Sequence, residues 1–336
     1  MPRRVYHYNK YKKPRRGVNK SWKVVKVLPS LVVLAVVGVI IFNAGAKDLE
    51  SVDEVIPNIE RAETLGINTN LPKPTLNPKW PKNIQSAVGA VGYGVLAESN
   101  QQAKPAPMAS LAKVMPAILM IEKDGITKEN DGGTITFTKD DVAIYDKYLL
   151  KEGVVHEVKP GSTLSQKKAL QAMLISSSNN IADSAVINSF GSIEAYLGEA
   201  NKKAKELGME NTVYADVTGF SPQTKSTASD LIILSEYAMR NSLFREIVST
   251  WQVKLNPKTT LTNTNSFLDF ENNNVIGIKT GLTDEAGGTY MSAARYKTKD
   301  GDVIALAVTL GAKNHFGALK SAQPLLQSVG AAFKQN

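Results

Sequence analysis

The chain contains no cysteine, which removes disulfides, thiol nucleophiles and thiolate-bound zinc from consideration. Export is not excluded by this, because a core of this size needs no covalent staples. Histidine is nearly as scarce, with three residues. His7 lies in a basic N-terminal segment, His156 sits among Val, Glu and Lys ahead of Pro160-Gly161, and His315 opens the last predicted helix. So scattered, they are expected on the surface, and the count argues against a Ser-His-Asp triad or a zinc site of two or three histidines. No metal and no cofactor is expected. Acidic residues are absent from residues 1–26, which hold ten of the 40 Lys and Arg. The rest of the chain then carries 30 basic against 31 acidic residues, so the net charge of +9 belongs to the tail. The body has no basic excess for a polyanion, and no nucleic-acid partner is expected.

What is present begins with residues 27–46, VLPSLVVLAVVGVIIFNAGA, which carry no formal charge. Twenty such residues form a helix long enough to cross a hydrocarbon core of roughly 30 Å. Basic residues on the N-terminal side place that end in the cytoplasm. The expected order is a basic cytoplasmic tail (1–26), a transmembrane signal anchor (27–46), an extracytoplasmic linker (47–83) and one domain (84–336). Ala44-Gly45-Ala46 also has the small-x-small form of a cleavage site, and cleavage after Ala46 would give a secreted domain. The linker is polar, acidic and then proline-rich, the composition of a spacer. Its last ten residues could instead pack on the domain as an extended arm.

Hydrophobic periodicity predicts strands over 86–98, 133–138, 274–280, 289–296 and 303–310, and helices over 108–121, 165–175, 181–190, 193–207, 227–240 and 315–333. The first strand and the last three would pair across a helical insertion. The fold class is α+β.

With histidine removed as a base, lysine is the remaining candidate, and Ser-x-x-Lys at a helix start brings hydroxyl and amine one turn apart on one face. The chain has two such tetrads. Lys168 of Ser165-Gln-Lys-Lys168 has Lys167 beside it on an amphipathic helix, so Ser165 reads as a cap. Lys113 of Ser110-Leu-Ala-Lys113 is the only charge between Met108 and Ile121 and would be desolvated there. Lowering a lysine from about 10.4 to near 7 takes on the order of 4 kcal/mol, and burial, a helix N-terminus and a second cation all push that way. Lys279-Thr280-Gly281 at a strand end supplies a candidate second cation, able to bind a carboxylate. Between Lys113 and Lys279, Ile175-Ser-Ser-Ser-Asn-Asn-Ile-Ala182 is a polar cluster that reads alone as a helix break.

Ser-x-x-Lys, Ser-x-Asn and Lys-Thr-Gly in this order resemble the penicillin-recognising serine enzymes. Met108-Ala-Ser-Leu-Ala-Lys113, Pro160-Gly161, Leu174-Ile-Ser-Ser-Ser-Asn-Asn-Ile-Ala182, Leu207-Gly-Met-Glu-Asn-Thr212, Thr218-Gly219, Ser226-Thr-Ala-Ser-Asp-Leu231 and Gly277-Ile-Lys-Thr-Gly-Leu-Thr-Asp-Glu-Ala-Gly287 look like the low-molecular-mass D-alanyl-D-alanine carboxypeptidases. The similarity covers roughly residues 86–330. It implies a β-lactamase/penicillin-binding-protein-like transpeptidase fold, an antiparallel sheet packed with helices plus a helical subdomain. It further implies Ser110 as the acylated nucleophile, Lys113 as its base and Ser177 as a proton relay. Asn179 would hold the substrate backbone, Lys279, Thr280 and Gly281 would meet its terminal carboxylate, and the N–H groups of Ser110 and Leu282 would form an oxyanion hole. The pair Ser178 and Asn180 also fits Ser-x-Asn. The implied substrate is a peptidoglycan stem pentapeptide that loses its terminal D-alanine, with β-lactams as covalent inhibitors. Transpeptidase, endopeptidase, β-lactamase and non-catalytic wall-binding functions share the same fold. A β-lactamase needs a deacylating glutamate, and Glu194 and Glu199 follow Asn179 too closely for that role. Two departures stand out: Leu282 where many relatives have histidine, and Pro116, expected to kink the nucleophile helix just after Lys113. On this resemblance, the β-rich second domain and C-terminal amphipathic anchor of many relatives are not expected after the last predicted helix.

Overall fold

The structure, a computed structural model, describes residues 67, 69, 71–99, 103–269 and 274–335. The expected tail, membrane span and first part of the linker lie outside the described residues. Among those described, no helix is long and apolar enough to cross a membrane.

A hairpin of β1 (Gln85–Ala90) and β2 (Gly94–Glu98) leads to β3 (Ala106–Pro107) and a 3-10 turn (Ala109–Lys113) that runs into α1 (Val114–Asp124). Then come β4 (Thr134–Thr136), α2 (Lys139–Leu149), β5 (Thr163–Ser165), α3 (Gln166–Leu174), α4 (Asn179–Phe190) and α5 (Ile193–Glu206). After β6 (Lys225–Ser226), α6 (Ala228–Met239) and α7 (Ser242–Ser249) lies a second hairpin, β7 (Gln252–Asn256) and β8 (Thr259–Thr262). The chain closes with β9 (Val275–Thr283), β10 (Gly287–Thr298), β11 (Gly301–Ala312) and α8 (His315–Gln335).

The main sheet is antiparallel with order β2-β1-β11-β10-β9, so the N-terminal hairpin does pair with the last three strands across the helical insertion. β11 shows why it is central: Val303, Ala305 and Ala307 enter one apolar cluster, and Ile304, Leu306, Val308 and Leu310 enter the other. Alternation with period two thus buries both faces. One face is covered by α8 through Ala318, Leu319, Ala322, Leu325, Leu326, Val329 and Phe333, a helical stripe. The other face packs on α6 and the helical insertion through Leu231, Ile232 and Leu234.

Three expectations change in detail. The strand predicted over 86–98 is two strands, because Gly92 and Gly94 take φ of +88° and +65° and turn the chain back. α2 has no predicted counterpart; its polar sequence KDDVAIYDKYL hides it, although Thr138 and Asp141 form the reciprocal cap that starts it. The linker reading ends before residue 71, since Leu71, Leu76 and Trp80 pack against the α8 side of the sheet. Ile67 bridges to Asp302. The packed stretch starts earlier than the ten residues for which an extended arm is the alternative.

Candidate active site

Ser110 and Lys113 lie in the 3-10 turn ahead of α1. With three residues per turn, side chains three apart eclipse, and Lys113 Nζ stands 2.9 Å from Ser110 Oγ. Pro116 falls in the first turn of α1, where a missing N–H removes no established helical bond, and α1 continues to Asp124. The backbone under Ser110 is held from two sides. Ala109 has φ of +49°, uncommon for a residue with a Cβ. A Cβ at Gly219 would stand 1.7 Å from Ala109 O, and one at Gly281 would stand 2.8 Å from Ser110 N. Close approach therefore demands glycine at both positions. The Thr289 hydroxyl on β10 donates to Met108 O at 3.1 Å and ties the sheet to the same turn.

Lys113 is fully buried. Its amine donates to Asn179 Oδ1 at 2.8 Å and to Thr218 O at 3.1 Å. Burial pushes it down to about 7, against the opposing pull of the Asp216 and Asp183 carboxylates. This is the desolvated lysine anticipated between Met108 and Ile121. The second tetrad has no such environment: Ser165 caps α3 by accepting from Lys168 N–H, and Lys168 Nζ reaches Lys254 O.

The polar cluster at 175–182 forms the joint between α3 and α4, and helix resumes at Asn179 rather than at 181. Its two Ser-x-Asn pairs point to different partners. Asn179 reaches Lys113, whereas Asn180 Oδ1 accepts from Ser178 Oγ at 3.0 Å and from His156 N–H at 3.0 Å. Asn180 is thus spent on the 154–156 loop, and the Ser178 hydroxyl on Asn180. Ser177 is 6% exposed with φ of +66°, and its hydroxyl has no hydrogen bond among the described residues. The neighbouring loop closes on the same joint, since a Cβ at Gly153 would stand 2.9 Å from Asn179 Nδ2.

Lys279 lies on β9, opposite Met291, and is 1% exposed. Burial and then the charge of Lys113 hold its amine well below the usual lysine range, and it donates to Thr280 O at 3.0 Å. The Thr280 hydroxyl donates to Thr264 Oγ1 at 2.7 Å. Leu282 is 55% exposed and directly follows Gly281, which lies against Ser110 N. The structure brings Ser110, Lys113, Asn179 and Gly281 into contact, and Lys279 within electrostatic reach.

The surface placement expected for His156 and His315 is corrected: both are half-buried, and burial lowers the pKa of each. His156 is locked to Asn180, and His315 Nε2 lies 3.0 Å from Thr264 O near Lys279. His156 is drawn in by its own backbone bonding the Asn180 side chain, and His315 by the Thr264 carbonyl, partners that one-dimensional pattern does not show. Sequence reasoning also missed Asp216, Asp183 and Tyr148 behind Lys113. The Tyr148 hydroxyl donates to Asp183 Oδ2 at 2.9 Å. The quoted pair Thr218-Gly219 was the available signal for that wall.

The solved structures this chain resembles include a D-alanyl-D-alanine carboxypeptidase from Mycobacterium tuberculosis, with TM-score 0.64, 24% identity and coverage of 77% of this chain and 95% of that one. A variant of a Streptomyces DD-transpeptidase matches at TM-score 0.64 and 20% identity, covering 74% of this chain and 97% of that one. These define the fold as that of the D,D-peptidases. The D-alanyl-D-alanine carboxypeptidase family model matches residues 88–314, and the chain belongs to that family. Among its curated relatives, D-alanyl-D-alanine carboxypeptidase DacF of Bacillus subtilis is 30% identical over 65% of this chain and 54% of its own length. A D-alanyl-D-alanine endopeptidase of Escherichia coli is 33% identical over 54% of this chain and 57% of its own length. The chain thus spans a little over half the length of these relatives.

Proposed function

We propose that this chain is a serine D,D-carboxypeptidase that removes the terminal D-alanine from peptidoglycan stem pentapeptides. The observation that carries the reading is a fully buried amine, near 7, standing 2.9 Å from the Ser110 hydroxyl. Ser110 Oγ attacks the carbonyl carbon of the last peptide bond while Lys113 Nζ takes its proton. The N–H groups of Ser110 and Leu282 stabilise the oxyanion. Ser177, whose hydroxyl has no hydrogen bond among the described residues, relays that proton: it gives its own to the departing amine and takes the one held by Lys113, so D-alanine leaves and the Lys113 amine is neutral again. Water then attacks the ester on Ser110; its proton returns through Lys113, the shortened peptide departs as a carboxylic acid, and the serine hydroxyl is restored. Asn179 holds the acyl side of the peptide, and Lys279 and Thr280 receive its terminal carboxylate. That carboxylate favours the protonated form of Lys279, so the ligand opposes the effect of burial. β-Lactams enter the first half of this path and stop at the ester.

The endopeptidase relatives favour a second reading, in which the same groups cut a cross-link instead of a terminal residue. A β-lactamase is less well supported, because Glu194 and Glu199 are exposed on α5. We place the domain outside the cytoplasm, tethered by residues 27–46 or released by cleavage after Ala46, on the charge and hydropathy of the N-terminal segment alone. The test is incubation with a muramyl pentapeptide analogue: free D-alanine appears with wild type and not with Ser110→Ala. A well-folded wild type that releases none refutes the carboxypeptidase assignment.

A further inference from the structure

Asp216 belongs to none of the motifs above, yet its carboxylate gathers the loop between α5 and β6. Oδ1 accepts from Gly219 N–H at 3.1 Å and from the Thr224 hydroxyl. Oδ2 accepts from Phe220 N–H at 2.9 Å, Ser221 N–H at 3.2 Å and the Thr218 hydroxyl at 3.0 Å. Hydrogen bonds to an ionised acceptor are the strong kind, so five of them fix the backbone of residues 216–224. Two parts of that backbone meet the nucleophile turn. Thr218 O accepts a hydrogen bond from Lys113 Nζ at 3.1 Å. Gly219 lies against Ala109 O, beneath the left-handed residue that precedes Ser110.

The geometry points to Asp216 as a positioning residue: by holding the loop it fixes the Thr218 carbonyl and Gly219, and through them sets the amine of Lys113 against the Ser110 hydroxyl. This rests on the serine-acylation reading and adds a residue to it that touches no substrate. Electrostatics support the assignment. The Lys113 amine feels Asp183 from α4, Asp216 from this loop and Lys279 from β9, and Asp183 is itself bound by Lys147 and Tyr148 of α2. Of the two carboxylates, Asp216 does more to oppose the effect of burial on the amine.

Asp216→Asn keeps the size but has one amide oxygen, so it serves one donor set and turns its NH2 toward the other. Acylation by a fluorescent penicillin is expected to slow about a hundredfold, the scale of an ångström-level misplacement. Loss of the negative charge also favours the neutral amine, so the acid limb of the acylation rate moves down by about one pH unit. A limb that stays at the wild-type pH, whatever the rate, overturns the proposal. If the variant does not fold, Thr224→Ala and Thr224→Ser decide: slow acylation in the first, recovered in the second, supports it, and any other pattern refutes it. Wild type is the control. Failure of wild type to label defeats the serine-acylation reading, whereas a labelling wild type with an indifferent Asp216→Asn defeats this inference alone.

Discussion

Lys113 Nζ donates to Asn179 Oδ1 at 2.8 Å and to Thr218 O at 3.1 Å, two oxygens that can only accept. A neutral amine has two N–H bonds and one lone pair. With both protons directed at these acceptors, the lone pair is left for the third neighbour, the Ser110 hydroxyl 2.9 Å away. Asn179 and Thr218 thus orient the amine as well as bind it.

A carboxylate at position 179 should undo this. Asn179→Asp sets a negative charge beside the Lys113 amine, which stabilises the ammonium and raises its pKa. Acylation at pH 7 is expected to fall about a hundredfold and to recover in part by pH 9. Rate–pH profiles of the two proteins check this; an unshifted acid limb would show that the two side chains are uncoupled.

Lys113 also makes stability depend on pH. Its folded value is depressed to about 7 from 10.5, so between those limits the unfolded chain holds a proton that the native state lacks. Native stability therefore rises with pH across that window, and below it both states are protonated and the contribution is lost. Relative to Lys113→Met, wild type should gain about 2.5 kcal/mol between pH 6 and pH 9. Denaturant melts of both proteins at the two pH values measure the difference; titrating groups that do not feel Lys113 cancel in the comparison, whereas Lys279, which does feel it, contributes to the difference.

Gly281→Ala should cripple the site through backbone contact. The new Cβ would meet Thr289 Oγ1 at 2.5 Å, Ser110 N at 2.8 Å and Ala109 Cβ at 2.9 Å. Overpacking of this kind costs about 1–3 kcal/mol, and displacing the nucleophile should slow acylation about a hundredfold. Thermal melts and acylation kinetics report the two effects separately. A variant with native acylation would mean that β9 can retreat without moving Ser110.

The parts of this site that were legible in sequence are those carried by short-range chemistry. Ser110 and Lys113 stood out because a lone charge in an apolar stretch has few explanations. β9 to β11 followed from alternation, and α8 from its apolar stripe. Bare spacing did not choose between Ser177-x-Asn179 and Ser178-x-Asn180, because both pairs satisfy it; the family resemblance of the residues after Asn179 favoured the first, and the packing of the 154–156 loop separates the two physically. Asp216 was illegible for a related reason. Its partners are mainly backbone N–H groups of its own loop, which carry no residue identity. The two histidines were misplaced because a half-buried position secured by carbonyls and amides leaves no hydrophobic pattern.

The central claim is that Ser110 is the nucleophile and that a neutral Lys113 activates it. Intact-mass and peptide mapping after benzylpenicillin treatment across pH 5 to 9 tests this most directly. The account predicts one adduct, on Ser110, whose rate of formation rises through about pH 7 and which is absent from Ser110→Ala. An adduct on Ser177 or Ser165, or a rate that does not change between pH 6 and pH 8, would contradict it.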